Sequence, residues 1–209
     1  MAREDHGGGR LVEHFCFYAL LQQAQIAAGK VRPADGTGKD DVMIILGDAG
    51  INFSGGLRDQ IKKEYLESLP VTIFAIHGNH ERRPWTIDSY QEKRWHGGVV
   101  YYEKEYPSLL FAKDGEIFDL DGKKAIVIGG AYSIDKMVRL IYGYGWWPDE
   151  QPSEEIKQYV ESQLDRLNWK EGGVLSHTTP LKYEPIEVFL AGIDPVSYTH
   201  LRAHETDSY

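Results

Sequence analysis

Cysteine is nearly missing from this chain: Cys16 stands alone among 209 residues. That excludes an intramolecular disulfide framework and any thiolate zinc cluster. An excess of cationic side chains is missing too, since 23 Lys+Arg face 32 Asp+Glu, for a formal net charge of −9. A strong nucleic-acid footprint needs clustered Lys and Arg, so none is expected. Chemistry on a phosphate would have to draw its positive charge from metal ions. No apolar run approaches the roughly 18 residues of a membrane span. The first residues mix Arg3 and Arg10 with Glu4, Asp5 and Glu13, which makes a poor secretory signal. There is no internal repeat, no Gly-x-x-x-x-Gly-Lys-Ser/Thr phosphate loop and no dinucleotide glycine fingerprint after a strand. A cytoplasmic protein with no membrane partner is the expectation.

The clearest patterning lies between residues 40 and 195. Val42 to Leu46 is a continuous apolar run stopped by Gly47, which suits a strand buried on both faces. Leu57, Ile61, Tyr65, Leu66 and Leu69 follow at helical spacing, and Pro70 closes the segment. Val71 to Ile76 is a second buried strand, so the three form a β-α-β unit with parallel strands. Short strands follow at Val99–Tyr102, Leu109–Ala112, Glu116–Leu120 and Lys124–Ile128, with Asp114-Gly115 and Asp121-Gly122 as hairpin signals. Ile134 to Ile141 reads as a short helix. Ser153 caps another, with Glu154 and Glu155 in its first turn and Ile156, Tyr159, Val160, Leu164 and Leu167 on one face. Gly173 to Ser176 is a last strand. Ahead of residue 40, the apolar-rich stretch from Leu11 to Ala28 reads as a helix between glycine-rich flanks.

Polar residues gather just past the strand ends. The first strand runs into Gly47-Asp48-Ala49-Gly50, the second into His77-Gly78-Asn79-His80-Glu81, and the last into His177-Thr178. In open α/β sheets ligands bind beyond the carboxyl ends of the strands, so parallel strands would bring Asp48, Asn79 and His177 to one edge. Carboxylate, carboxamide and imidazole donors suit Mn²⁺, Fe or Zn²⁺. Two such cations about 3.5–4 Å apart clamp a phosphoryl group and activate water, with one carboxylate shared between them. Asp48 is placed for the shared role, and His80 is the candidate to protonate a leaving oxygen. Alternation along the strand gives His77 a structural role, and Ser133 is read either as lining the mouth or as a turn residue. Arg82 and Arg83 could touch a substrate phosphate, but arginines after a loop are more often plain surface residues, and that is the favoured reading. Tyr142, Tyr144, Trp146 and Trp147 are read as packing residues.

These blocks, taken in order, resemble those of the calcineurin-like metallophosphoesterases: Gly47-Asp48-Ala49-Gly50, Gly78-Asn79-His80-Glu81 and Ser176-His177-Thr178. Gly129 to Lys136 and Gly145-Trp146-Trp147-Pro148 resemble a bacterial and phage subgroup with a single domain. The resemblance implies an α/β fold, a two-sheet β-sandwich flanked by helices. It implies a phosphate mono- or diester hydrolase with two divalent metal ions (Mn, Fe or Zn). Asp48 resembles the bridging ligand, Asn79 and His177 the ligands of the second metal, and His80 the histidine that steadies the phosphate. Glu81 resembles a residue that orients these ligands, and Arg82 a neighbour of the substrate. A phosphorylated small molecule, a nucleotide or a phosphoprotein would be the substrate.

Two motifs of that family do not occur: no Asp-x-His and no Gly-His-x-His is present. Asp5-His6 lacks the spacer, and alternation would then send the two side chains to opposite faces of a strand. The expectation is a truncated or frame-disrupted copy that is incomplete at its edges and retains its metals poorly. Its parts are an atypical, out-of-frame segment at 1–39, the domain at 40–195 and an artefactual, unstructured tail at 196–209. The competing expectation is a catalytically inactive fragment or interaction module on the same scaffold.

Overall fold

The computed structural model describes residues 11–12, 36–133, 135–167 and 172–178. A six-stranded sheet carries the strands β1 (Leu11–Val12), β2 (Val42–Leu46), β3 (Thr72–Ile76), β4 (Tyr90–Trp95), β5 (Gly98–Glu103) and β6 (Tyr106–Ala112). Its order is β1-β2-β3-β6-β5-β4, parallel from β1 through β6 and antiparallel from there to β4. A three-stranded sheet holds β7 (Ile117–Leu120), β8 (Lys123–Ile128) and β9 (Gly173–Ser176), with β8 and β9 parallel. Three helices are described: α1 (Gly56–Ser68), α2 (Lys136–Tyr142) and α3 (Glu154–Arg166).

Side-chain alternation along β3 explains the layering. Phe74 and Ile76 point to the space between the sheets, where Val100 and Leu110 of the large sheet meet Phe118, Leu120 and Val127 of the small one. Phe74 and Phe118 meet edge to face with ring centroids 4.8 Å apart, a favoured aromatic geometry. Ile73 and Ala75 point the other way, into a cluster with Leu109, Phe111 and Leu66 of α1. On the outer face of the small sheet, Ile126 and Ile128 pack on Val160 and Leu164 of α3. The result is helix, sheet, sheet, helix: the flanked sandwich implied by the resemblance.

Several expectations change in detail. Asp114-Gly115 is no hairpin; it is where the chain leaves the large sheet at β6 for the small sheet at β7. Asp121-Gly122 is a hairpin turn, with φ of 56° and 78° as a type I′ turn requires. A second such turn, His96-Gly97 with φ of 48° and 88°, joins β4 to β5. Strand β4 is invisible to hydrophobic patterning because it is an edge strand that exposes charged side chains, a usual guard against sheet-to-sheet pairing. In β2 only Val42 is buried, so the strand is less enclosed than its continuous apolar run suggests. Leu11 and Val12 themselves form β1 parallel to β2, so the helix expected from Leu11 cannot begin there. The rest of that stretch, and the tail from 196, lie outside the described residues.

Helix α1 forms where expected but turns a different face inward. Asp59, Lys63 and Leu66 are buried, while Leu57 is 69% and Ile61 55% exposed. Asp59 accepts from the backbone N–H groups of Ser54 and Gly55 and so closes the loop before the helix. Lys63 pairs with Glu103 on β5. Among the described residues no helix is long and apolar enough to cross a membrane.

Candidate functional site

Strand register sets the site. Leu46 is level with Ile76, so Gly47-Asp48 and His77-Gly78 leave the large sheet together. Ile128 is level with Ser176, so Gly129 and His177 leave the small sheet together. The loops can converge because two positions lack a side chain. A Cβ on Gly78 would overlap the Asp48 carboxylate, and one on Gly47, at φ 91°, would overlap the His177 ring. Asp48 itself is held in the left-handed region, at φ 52°. Its Oδ1 accepts the His80 backbone N–H at 3.0 Å, which compensates that strain.

Asp48, Asn79 and His177 come together, as their places in the sequence suggest. His177 Nε2 lies 3.0 Å from Asn79 Oδ1 and 3.7 Å from Asp48 Oδ1. The Leu46 carbonyl can only accept, so the His177 Nδ1 2.8 Å from it carries a proton. A proton on Nε2 would bond the ring to these two oxygens; without one, the nitrogen and the two oxygens together offer three lone pairs to a cation. This donor set fits a divalent ion. Among the described residues no group of three His, Cys, Asp or Glu side chains is poised for a metal, the third donor here being a carboxamide.

His80 lies beside this cluster. Its ring stacks on Phe53 with centroids 6.4 Å apart, and its Nε2 is 3.9 Å from Asp135 Oδ1. Arg82 is exposed and donates to the Thr86 carbonyl at 3.0 Å. Arg83 is neither the surface residue nor the phosphate contact that the sequence suggested. It is 1% exposed and makes four bonds inward, to the carbonyls of Asp149, Glu150 and Gly78 and to His77 Nδ1. No substrate can reach it. His77 has the structural role expected of it: its Nε2 donates to Asp114, which also accepts the Gly129 N–H at 2.7 Å. Burial, reinforced by the Arg83 charge, holds His77 below its ordinary range and therefore neutral. Trp147 packs edge-on against Phe53, whereas Tyr142 and Tyr144 remain exposed.

Glu81 is buried beneath the loops, with Oε2 accepting the Gly78 N–H at 3.0 Å. Burial, with the Asp48 charge nearby, pushes its carboxyl up to about 8. Between the ordinary 4.5 and about 8 the folded metal-free protein therefore binds a proton that the unfolded chain releases. Stability falls as pH rises through that window, at up to about 1.4 kcal/mol per pH unit from this group. Glu81→Gln, neutral at every pH, is expected to flatten the corresponding part of a urea-unfolding series run from pH 4.5 to 8.5. An unchanged slope would refute the assignment.

Two polar residues of the site, Arg139 and Glu150, have no local signature in the sequence, and they join Ser133, the residue read as mouth or turn. Ser133, Arg139 and Glu150 are each nearly inaccessible, at 1%, 2% and 3% exposure. Asn79 Nδ2 donates to Ser133 Oγ at 2.9 Å, and Ser133 is bonded in turn to Arg139 and Glu150. Arg139 is the buried residue of α2, while Met137, Val138, Leu140 and Ile141 around it are exposed.

Comparisons with curated proteins and with solved structures returned no match. The sequence does match the family model for Calcineurin-like phosphoesterase over residues 7–192, most of its 209 residues. The chain therefore belongs to the calcineurin-like phosphoesterases, a family of metal-dependent hydrolases of phosphate esters.

Proposed function

We propose that the chain hydrolyses a phosphate mono- or diester at this site, with Asp48, Asn79 and His177 as metal ligands. The observation that supports this most is the convergence of a carboxylate oxygen, a carboxamide oxygen and an imidazole nitrogen within 4 Å. Asp48, Asn79 and His177 would hold divalent cations, two in the full reading and Mn²⁺, Fe or Zn²⁺ by donor type, which when bound would supply activation of water and charge neutralisation at the phosphoryl oxygens. Asp48 would be the ligand placed to serve both. Its oxygen is aimed by the His80 backbone N–H, and the His177 ring is aimed by the Leu46 carbonyl. The His80 imidazole, on the same turn as Asn79, steadies the phosphate and gives its proton to the leaving oxygen. Glu81 supports the turn from below, and Arg82 borders the substrate. With a chain charge of −9, affinity for phosphate rests on the ions more than on side chains. A small phosphorylated molecule, a nucleotide or a phosphoprotein in the cytoplasm is the substrate class.

A second reading, a non-catalytic module on the same scaffold, draws on the sparse set of acidic and imidazole donors among the described residues. One experiment separates the two. The purified chain is loaded with Mn²⁺, desalted, analysed for metal and assayed with a chromogenic phosphodiester. Turnover with Mn²⁺ in the assay that a chelator abolishes is expected, even where little metal survives desalting. No bound metal and no turnover supports the module, and turnover that survives full chelation overturns both readings.

A further inference from the structure

We propose that Ser133 and Glu150 are positioning residues. Together they turn the Asn79 carboxamide so that its oxygen, and not its nitrogen, faces the cation site. The proposal rests on Asn79 being a ligand.

It follows from counting protons. The Arg139 guanidinium has only donors, and its Nη1 lies 3.0 Å from Ser133 Oγ, so the hydroxyl must accept there. The Glu150 carboxylate holds Ser133 twice. Oε1 accepts the Ser133 backbone N–H at 3.1 Å, and Oε2 lies 2.5 Å from Oγ. A hydroxyl has one proton and two lone pairs. The proton goes to Glu150 and one lone pair to Arg139. The lone pair that remains can be met only by a donor, and the Asn79 carboxamide is the group that meets it, at 2.9 Å. Its NH₂ must therefore face Ser133, which leaves Oδ1 facing His177 Nε2 at 3.0 Å.

A carboxamide has nearly the same shape after a half-turn about its last bond. Packing cannot choose between the two orientations, whereas hydrogen bonding can. The flipped form would aim N–H protons at a cation. Water cannot compensate, because Asn79, Ser133, Arg139 and Glu150 are all less than a tenth exposed. The relay is also anchored at its far end. The Glu150 carbonyl accepts the Ala131 N–H at 3.0 Å and Arg83 Nη2 at 2.5 Å. Arg139 is bonded to the Gly145 carbonyl through its other nitrogen.

The test is a calorimetric titration of the metal-free chain with Mn²⁺, with thermal unfolding of each variant as the check on folding. Ser133→Ala removes the acceptor. Glu150→Gln keeps the shape, but its NH₂ can donate to Oγ, which frees the hydroxyl proton for Asn79 and favours the flipped carboxamide. Each is expected to weaken Mn²⁺ binding by about 10–100-fold, the usual effect of removing an outer partner of a ligand. Asn79→Ala should weaken it at least as much. The double variant Asn79→Ala/Ser133→Ala should bind no more weakly than Asn79→Ala alone, because no carboxamide is left to orient. Additive losses in the double variant would mean that Ser133 merely supports the fold, and the relay would be overturned. Glu150→Gln, which preserves volume, carries the test if Ser133→Ala does not fold. If Asn79→Ala weakens binding while Ser133→Ala and Glu150→Gln bind like the parent, the relay fails and the ligand assignment stands. If Asn79→Ala binds like the parent, or the parent binds no Mn²⁺, the ligand assignment itself fails.

Discussion

Asp48→Asn is expected to remove nearly all Mn²⁺-dependent hydrolysis while leaving the fold intact. The asparagine has almost the same shape, and its oxygen can still accept the His80 N–H that holds this turn. What disappears is the carboxylate charge, which lies 3.7 Å from His177 Nε2. A carboxamide binds a divalent cation far less firmly, and two cations could not share it. Turnover should fall by about 10²–10³-fold, the scale of losing one preorganised electrostatic element. Mn²⁺ affinity should fall with it. His80→Ala makes the useful comparison, because alanine keeps the backbone N–H to Asp48 and loses only the imidazole. There turnover should drop by about 10²–10⁴-fold, as for a lost general acid, with Mn²⁺ affinity close to that of the parent. If both variants turn over at the parental rate, the site lies elsewhere.

The largest effect on stability is expected at Arg83. Arg83→Met fills a similar space but leaves the carbonyls of Asp149, Glu150 and Gly78 and the ring of His77 without their donor. It also removes the positive charge near the buried Asp114. Breaking one partner out of a buried charged network typically costs about 3–5 kcal/mol. Urea unfolding should show a loss of that size. Arg83→Lys should recover little of it, because a single ammonium cannot reach four acceptors spread around a planar fork. A Met variant as stable as the parent would show that these bonds contribute nothing net.

Arg83 also shows where reading the sequence works and where it stops. Strands β3, β8 and β9 are legible as short apolar runs beside a glycine, and helix α3 because its apolar residues recur at helical spacing behind the capping Ser153. Asp48, Asn79 and His177 are legible as a group because each follows a strand directly, and parallel strands end at a common edge. Helix α1 is placed correctly but its face is misread. Periodicity assumes that apolar means inward, and here Asp59 and Lys63 turn inward to bind a loop and a neighbouring strand. The same holds for Arg139 in α2. Glu150 and Arg83 were out of reach for a different reason. Each is buried only because it finds partners tens of residues away, as Arg83 does at Asp149 and Glu150, and no local pattern encodes such a pairing.

The parallel pairing of β9 with β8 has a consequence for the order of assembly. His177 reaches the Leu46 carbonyl across 131 residues of chain, and it meets Asn79 across 98. Both contacts depend on a strand of four residues, at the end of its sheet among the described residues and far along the chain from its partners. Contacts of such long sequence separation form late, because the chain between them must first give up its freedom. The large sheet can be complete while the cation site still lacks its imidazole. Metal capture therefore reports on a late docking event of the fold, and a cation that binds His177 holds that strand in place in return.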